Sequence, residues 1–259
     1  MGSDGTFNLE RLRRGIKPFR LHWFPRLRST NDHAAVLRER ESLFAPAIVL
    51  TTRQLAGRGR GSHRWWSAGG SLTVTFVLPV DEAVEAHQVP LLAGLAVRQA
   101  AAKIAGNDGV QLKWPNDLLH RDRKLAGLLC ERVRKVDLIG VGLNVNNDPA
   151  DAPPDIRQKI TSLRQIAGGK SFDMTDVVIA VALELRETMR RRTQHPFAAL
   201  LAEYDQHHAL IGRRVSVLES GGERAISGKC EGLDDIGRLR VRSNDGVLHA
   251  IVAGHVSVR

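Results

Sequence analysis

The sequence is poor in cysteine and contains no long apolar run. Cys130 and Cys230 are its two cysteines among 259 residues and form no C-x-x-C pair, so a disulfide scaffold and a zinc site built on thiolates are excluded. No stretch reaches the ~18 uninterrupted apolar residues of a membrane span. The first 20 residues contain no apolar run of signal-peptide length. We therefore expect a cytoplasmic protein with no membrane partner.

Aromatic residues are scarce, at 5%, and two common nucleotide-binding motifs are missing. Neither the Walker motif G-x-x-x-x-G-K-[ST] nor a G-x-G-x-x-G motif after the first strand is present. Binders of single-stranded nucleic acid usually interleave exposed aromatic residues with Lys and Arg. The low aromatic content weakens a nucleic-acid-binding interpretation but leaves it open.

Positive charge exceeds negative charge, and the excess is concentrated in three segments. The formal net charge is +10, from 38 Lys and Arg against 28 Asp and Glu, which indicates an anionic partner. Residues 1–30 carry seven basic and two acidic side chains, residues 51–80 carry four arginines and no acid, and residues 113–135 carry seven basic and three acidic. Because the rest of the chain is near neutral, the pattern favours local anion sites over a uniformly basic surface.

The hydrophobic pattern predicts an α+β main domain followed by a small β-barrel. Segments rich in β-branched residues predict main-domain strands at 21–24, 47–52, 71–78, 110–114, 125–133 and 136–145. Helices are predicted at 90–104, 177–192 and 196–209. After residue 212, turn sequences separate short strands predicted at 214–218, 225–233, 239–243 and 248–252. A barrel of this size is marginally stable alone, so we expect it to pack on the main domain.

The segment 54–71 is the first candidate site. It lies between two predicted strands, contains Gly-Arg-Gly-Arg-Gly at residues 57–61, and holds Arg58, Arg60 and Arg64 without an acidic residue. Glycine allows the backbone to approach a ligand closely, and guanidinium groups match phosphate or carboxylate oxygens. The segment therefore predicts a cradle for a phosphorylated or carboxylated ligand, while a mobile solvated loop remains an equal alternative.

A second candidate site is Lys-Trp-Pro-Asn-Asp at residues 113–117, at the end of a predicted strand. It offers an ammonium to neutralise charge, an indole for stacking, an amide to read a base edge, and a carboxylate to accept a metal or a proton. Pro-Asn-Asp is also ordinary turn chemistry, and taken alone that interpretation has more weight.

Three further motifs complete a distinctive order. Ser-Thr-Asn at residues 29–31 precedes a predicted helix, Arg-Lys-Leu-Ala-Gly occupies 123–127, and Gly-Val-Gly-Leu-Asn-Val-Asn occupies 140–146. Each could be structural by itself, for example as a helix cap. Together with the two candidate sites, the order resembles that of the biotin protein ligases over residues 20–259. The Gly-Arg-Gly-Arg-Gly and Lys-Trp-Pro-Asn-Asp motifs are the specific part of this resemblance.

The resemblance implies a fold, a domain organisation and a reaction. The fold is a central mixed β-sheet flanked by helices, the class II synthetase-like core of biotin and lipoate ligases, with a C-terminal SH3-like β-barrel. We expect a basic N-terminal extension at 1–20, a catalytic domain at 21–210 and the barrel at 211–259. The implied activity is that of a biotin-[acetyl-CoA-carboxylase] ligase: with ATP and Mg²⁺, biotin is activated as biotinyl-5′-AMP and attached to a lysine of a biotin carboxyl carrier protein or another carboxylase carrier domain.

The resemblance also assigns roles to residues. Arg58, Arg60, Lys113 and Asp117 are the implied catalytic residues, and Asp117 could instead bind Mg²⁺. Biotin is expected to contact residues from three motifs: Ser29, Thr30, Asn31, Gln54, Gly57, Arg58, Gly59, Arg60 and Lys113. The nucleotide is expected to contact Trp65, Asn116, Lys124 and Asn144.

Two alternatives and two further expectations remain at this stage. A lipoate or octanoate ligase or transferase would share the core, but its Arg-Arg-x-x-Gly-Gly-Gly-x-x-x-His signature is missing. A nucleic-acid-binding module without catalysis is the second alternative. About 20 residues precede the first predicted strand, too few for the DNA-binding domain of larger family members, so no DNA binding is expected. Many family members are dimeric, and a homodimer is possible here.

Overall fold

A seven-stranded mixed β-sheet forms the centre of the main domain in the computed structural model, which describes residues 6–219 and 225–258. The strand order is β1-β2-β3-β7-β6-β5-β4, with β1 parallel to β2 and all other neighbours antiparallel. The bounds are β1 Arg20–Leu27, β2 Ala47–Gln54, β3 Ser71–Pro79, β4 Val110–Lys113, β5 Asp117–His120, β6 Arg123–Val133 and β7 Val136–Asn144. The apolar β7 lies in the middle, as its composition predicted.

Helices cover both faces of this sheet. The helices are α1 Leu9–Gly15, α2 Thr30–Glu39, α3 Val89–Ala105, α4 Pro154–Arg157, α5 Leu163–Ile166, α6 Met174–Gln194 and α7 Phe197–Gln206, with a 3-10 turn at Pro149–Asp151. On one face α3 packs against the sheet and against α6, forming the larger core. On the other face α2 covers a smaller apolar cluster that includes Ala34, Val49 and Leu138.

The start of α2 and the glycines of β7 leave room for a site on the α2 face. Ser29 begins α2 because its side chain accepts a hydrogen bond from the N–H of Asp32. Odd-numbered residues of β3, such as Thr73 and Thr75, face the α2 side, since side chains alternate along a strand. Opposite Thr75 and Thr73 in the register lie Gly140 and Gly142 of β7, which place no side chain on that face.

A five-stranded antiparallel sheet forms the C-terminal, SH3-like unit, in the order β11-β10-β9-β8-β12. Its strands are β8 Arg214–Glu219, β9 Ala225–Leu233, β10 Leu239–Ser243, β11 Leu248–Ile251 and β12 Gly254–Val258. The unit packs on the main domain, as expected: the Trp114 indole donates to the carbonyl of Gly237 at 3.2 Å, and Val215, Cys230 and Leu239 belong to the larger core.

The structure contains elements that the pattern did not predict. The region taken as a basic extension, described from Thr6 onward, contains α1, which packs on α6 and buries Leu12 completely. The apolar residues of α1 are few and lie among arginines, so the composition of this segment did not predict a helix. The short strands β5 and β12 were also missed, since each has four or five residues and gains stability from pairing with neighbours.

Among the helices in the described ranges, none combines the length and the apolar character needed to cross a membrane.

Candidate active site

A cavity of about 280 Å³ opens on the α2 face of the sheet. We call residues 55–70, between β2 and β3, the Gly/Arg loop. The cavity lies between this loop, the start of α2, the glycines of β6 and β7, and the start of β12 in the C-terminal unit. The site residues predicted from sequence that line it are Ser29, Thr30, Asn31, Gln54, Arg58, Gly59, Arg60, Trp65, Asn116, Asp117, Lys124 and Asn144.

Glycines form the floor of the cavity because other side chains would fill it. A Cβ atom added at Gly142 would lie 2.4 Å from Cε2 of Trp65, and one added at Gly140 would lie 2.3 Å from Oδ1 of Asn31. At Gly127 the added atom would meet Lys124 Cε at 3.0 Å. The Gly-x-Gly pattern of β7 therefore allows Trp65 and Asn31 to lie directly on the sheet.

The start of α2 forms a polar wall whose groups are already paired. The N–H and the hydroxyl of Thr30 donate to Gln54 Oε1 at 2.9 and 3.3 Å. Asn31 Nδ2 donates to the carbonyl of Leu129 at 3.0 Å and to Glu131 Oε2 at 2.7 Å. Ser29, Thr30 and Asn31 are all buried. These residues form a rigid frame for a ligand.

Arg58 and Arg60 are in different electrostatic environments. Arg58 Nη2 lies 2.9 and 3.0 Å from the two Glu131 oxygens and 2.6 Å from Asp32 Oδ1. Burial lowers the pKa of Arg58, but the Glu131 and Asp32 carboxylates outweigh it and raise the pKa overall. Arg60 instead donates to the carbonyl of Gly254 at 3.1 Å and to Asn116 Oδ1 at 3.4 Å.

Of the two arginines in the Gly-Arg-Gly-Arg-Gly motif, Arg60 is therefore the one whose charge remains available. It forms no ion pair with any described residue, and burial lowers its pKa despite the nearby negative charge of Asp117. A partly buried guanidinium held by neutral acceptors attracts an anionic ligand strongly, because burial reduces solvent screening.

The residues of the second motif separate into core and cavity. Trp114 is only 2% exposed and its indole faces the C-terminal unit, so the stacking role considered for it is wrong. Asn116 Nδ2 donates to the carbonyl of Leu128 at 2.7 Å, which aims its oxygen at Arg60. Asp117 Oδ1 lies 2.6 Å from Lys124 Nζ.

Two predicted site residues are not among those that line the cavity. Lys113 ends β4, opposite Asp117 in the register, and burial lowers its pKa, with Lys124 and Arg213 adding to the effect. Gly57 is needed for packing, since a Cβ there would lie 2.6 Å from the carbonyl oxygen of Trp65.

Trp65, Lys124 and Asn144 form the wall opposite α2. The Lys124 ammonium lies 5.8 Å from the Trp65 ring centroid. The buried Trp65 Nε1 has no hydrogen-bond partner among the described residues, so it is a donor free for a ligand. Asn144 Nδ2 donates weakly to the carbonyl of Lys124 at 3.4 Å and its oxygen accepts from Asn147 at 3.3 Å.

Sequence reasoning missed Glu131 and His255. The His255 ring stacks on that of His63 with centroids 5.5 Å apart, at the mouth of the cavity. Burial lowers the pKa of His255, and the charges of Lys113 and His63 lower it further. No local sequence pattern links Glu131 or His255 to the site residues that lie far from them along the chain. Glu131 directly follows Cys130 in a predicted strand, but nothing in that segment marked it as a site residue.

Two comparisons with protein families agree with this geometry. The Biotin/lipoate A/B protein ligase family matches residues 23–148, and the Biotin protein ligase C terminal domain matches residues 210–259. A biotin--[acetyl-CoA-carboxylase] ligase of Mycobacterium tuberculosis is 34% identical over 198 residues, which cover 74% of this chain and 71% of that protein. The chain belongs to the biotin protein ligase family.

Other biotin protein ligases share the fold and part of the sequence. The chain superimposes on a biotin protein ligase from Aquifex aeolicus in complex with biotin and ATP, with a TM-score of 0.81, 29% identity, and coverage of 93% of this chain and 98% of that one. The bifunctional ligase/repressor BirA of Bacillus subtilis is 34% identical over 208 residues. That match covers 77% of this chain and 62% of the Bacillus protein, so the chain spans less than two thirds of that relative.

Magnesium would find few protein ligands in this biotin protein ligase site. No group of three or more His, Cys, Asp or Glu side chains is placed to hold a metal within residues 6–219 and 225–258. Asp117 is the one acidic side chain among the described residues that line the cavity. A single carboxylate suits an Mg²⁺ ion held mainly by substrate phosphates.

Proposed function

We propose that this biotin protein ligase attaches biotin to a lysine of a carrier domain in two steps that consume ATP. The observation that carries the proposal is Arg60: its uncompensated guanidinium points into a glycine-floored cavity in a member of this family. Family membership and the Aquifex aeolicus complex with biotin and ATP support the choice of substrates.

The first step joins two anions. An oxygen of the biotin carboxylate attacks the α-phosphorus of ATP, a carboxyl–phosphoryl anhydride bond forms, and pyrophosphate leaves with the electrons of the broken P–O bond. A carboxylic acid is ionised at pH 7, so no general base is required. The site must supply positive charge and alignment, and Arg60 lines the cavity without an ion pair to any described residue. Lys113, paired opposite Asp117 across β4 and β5, adds charge close to this carboxylate.

The frame around the cavity suggests where each half of the intermediate binds. The rigid wall of Ser29, Thr30 and Asn31 with Gln54 suits the ureido ring of biotin, and the close backbone at Gly59 suits contact with its carboxylate. Trp65, Asn116 and Asn144 on the other side suit the nucleotide, with the free Trp65 Nε1 available to an acceptor atom. Magnesium held by the phosphates and Asp117 would supply further charge neutralisation.

The second step transfers biotin to lysine. The neutral amine attacks the anhydride carbonyl, an amide bond forms, AMP leaves, and the amine loses a proton. Asp117 is our candidate to accept that proton, and its contact with Lys124 at 2.6 Å fixes its direction. In single-turnover assays Asp117→Asn should slow transfer more than adenylation, whereas equal slowing would favour a metal-binding role.

The expected acceptor is the biotin carboxyl carrier protein of acetyl-CoA carboxylase, by analogy with the ligase from Mycobacterium tuberculosis. A homodimer and a cytoplasmic location stay predictions. The decisive experiment is pyrophosphate–ATP exchange: the purified protein should incorporate labelled pyrophosphate into ATP only when biotin is added. Exchange that follows lipoate or octanoate but not biotin would refute the proposal.

A further inference from the structure

Glu131 on β6 receives hydrogen bonds from two separate parts of the cavity wall. Its Oε2 accepts from Asn31 Nδ2 at 2.7 Å, and both carboxylate oxygens lie within 3.0 Å of Arg58 Nη2. Asn31 belongs to α2, and Arg58 belongs to the Gly/Arg loop. Glu131 therefore joins two elements through Asn31 and Arg58, which are 27 positions apart in the chain.

The Asn31 amide has no freedom once Glu131 is bound. Its Oδ1 accepts from the Thr75 hydroxyl at 2.6 Å, and its Nδ2 donates to Glu131 and to the Leu129 carbonyl. An amide nitrogen has two hydrogens, so both are used. Asn31 is consequently a fixed part of the frame, and its orientation depends on Glu131.

Arg58 is held in the same way. Glu131 and Asp32 occupy its Nη2 atom, so its charge is largely neutralised within the protein. Arg58 nevertheless lines the cavity. The two arginines of the motif thus divide their roles: Arg58 anchors the loop through its side chain, and Arg60 presents free charge.

We propose that Glu131 is a positioning residue that aligns the Asn31 wall and the Arg58 arm of the Gly/Arg loop for substrate recognition. It does not line the cavity, so it acts through these two residues and not on the reacting atoms. The inference rests on the proposed function. Loss of the Glu131 contacts to Asn31 and Arg58 should weaken the binding of biotin and of biotinyl-AMP. The rate of the chemical step at saturating substrate should stay unchanged.

Glu131→Gln is the informative variant, because the amide oxygen can still accept from Asn31 while the charge facing Arg58 is lost. We expect the KM for biotin and the dissociation rate of biotinyl-AMP to rise about 2- to 5-fold, because the pair of Arg58 with Glu131 is partly exposed and screened by solvent. The kcat of pyrophosphate exchange should stay at the wild-type value. Glu231→Gln is the matched control, since Glu231 binds Arg240 and Arg242 in the C-terminal unit.

A second variant tests whether Glu131 acts through Arg58. Arg58→Met should raise the same two quantities, and adding Glu131→Gln to it should have less than its usual effect if Glu131 acts through Arg58. Fully multiplicative effects would overturn the proposal, and so would a lowered kcat with unchanged KM. If Glu131→Gln does not fold, Arg58→Met alone decides: unchanged KM and dissociation rate would overturn the proposal.

Tryptic cleavage separates this inference from the proposed function. Without any substrate, the Gly/Arg loop should be cut faster in Glu131→Gln than in wild type or Glu231→Gln, because the anchor at Arg58 is weakened. Wild-type protein without biotin-dependent exchange would refute the function and leave this cleavage test valid. Equal cleavage rates in all three proteins would refute this inference.

Discussion

Gly142→Ala should damage substrate binding more than folding. The added Cβ would lie 2.4 Å from Trp65 Cε2 and 2.7 Å from Cζ2 and Nε1. Ordinary contacts between carbon atoms are about 3.5–4.0 Å, so the indole must move by roughly 1 Å or more. Overpacking of this kind costs about 1–3 kcal/mol.

The position of Trp65 decides where this cost appears. Its indole is half-buried and belongs to the Gly/Arg loop, whose residues 61–64 are exposed, whereas Gly142 is part of the central strand β7. The loop can shift at lower cost than the sheet, so the loop should yield. A shift of the cavity wall that costs about 1–3 kcal/mol on binding corresponds to about a 5- to 150-fold rise in KM for biotin or ATP.

The assay is biotin-dependent pyrophosphate exchange, with urea unfolding of the same variants. Gly69→Ala is the control in the same loop, because its added Cβ meets no described heavy atom within 4 Å and Gly69 does not have a positive φ. Wild-type KM values together with an unfolding free energy lowered by about 1–3 kcal/mol would refute the reasoning, since the sheet would then have absorbed the strain.

Three further outcomes follow from the same contacts. Gly140→Ala should lower the unfolding free energy by about 1–3 kcal/mol, because the blocking atom, Asn31 Oδ1 at 2.3 Å, is buried and bonded; an unchanged urea midpoint would contradict this. Asp173 caps α6, and although burial raises its pKa, the hydrogen bonds from Arg11 and from backbone N–H groups lower it overall. Asp173→Ala should therefore lower the free energy of unfolding by about 1 kcal/mol at pH 7. This difference from wild type should shrink as the pH falls below about 4 and through the pKa of Asp173 in the folded protein, and a difference independent of pH would contradict the role of the charged cap. Arg60→Ala should release biotinyl-AMP faster than Arg53→Ala, whose side chain is exposed on β2, and equal rates would remove Arg60 from its role.

Local chemistry made several elements predictable. The cap at Ser29 and the apolar β7 each depend on residues close in sequence, and the structure contains both. The alternation of apolar and polar residues in β3 suggested one buried face, but both faces are buried because α2 covers the side of Thr73 and Thr75. The fold class and the family were confirmed as well. The domain boundaries and the roles of the site residues stay predictions.

Other features depend on contacts across the chain and could not be predicted from local patterns. Lys113 and Trp114 are adjacent in one motif, yet Trp114 is buried against the C-terminal unit and Lys113 is not among the residues that line the cavity. Similarly, basic residues near the N-terminus that are close in sequence contact different partners in the fold. Arg11 forms an ion pair with Asp173, and the Arg20 guanidinium lies over the Phe44 ring.

The sequence by itself determined the motifs, their order and the excess of positive charge around the candidate site. The tertiary structure decided which of those charges is available to a ligand. Arg58 and Arg60 are two residues apart and alike in sequence, but folding brings Glu131 and Asp32 to Arg58, and neutral oxygens of Asn116 and Gly254 to Arg60. The physical reason is that the effective charge of a side chain depends on the groups within a few ångströms of it, and those groups come from distant parts of the chain.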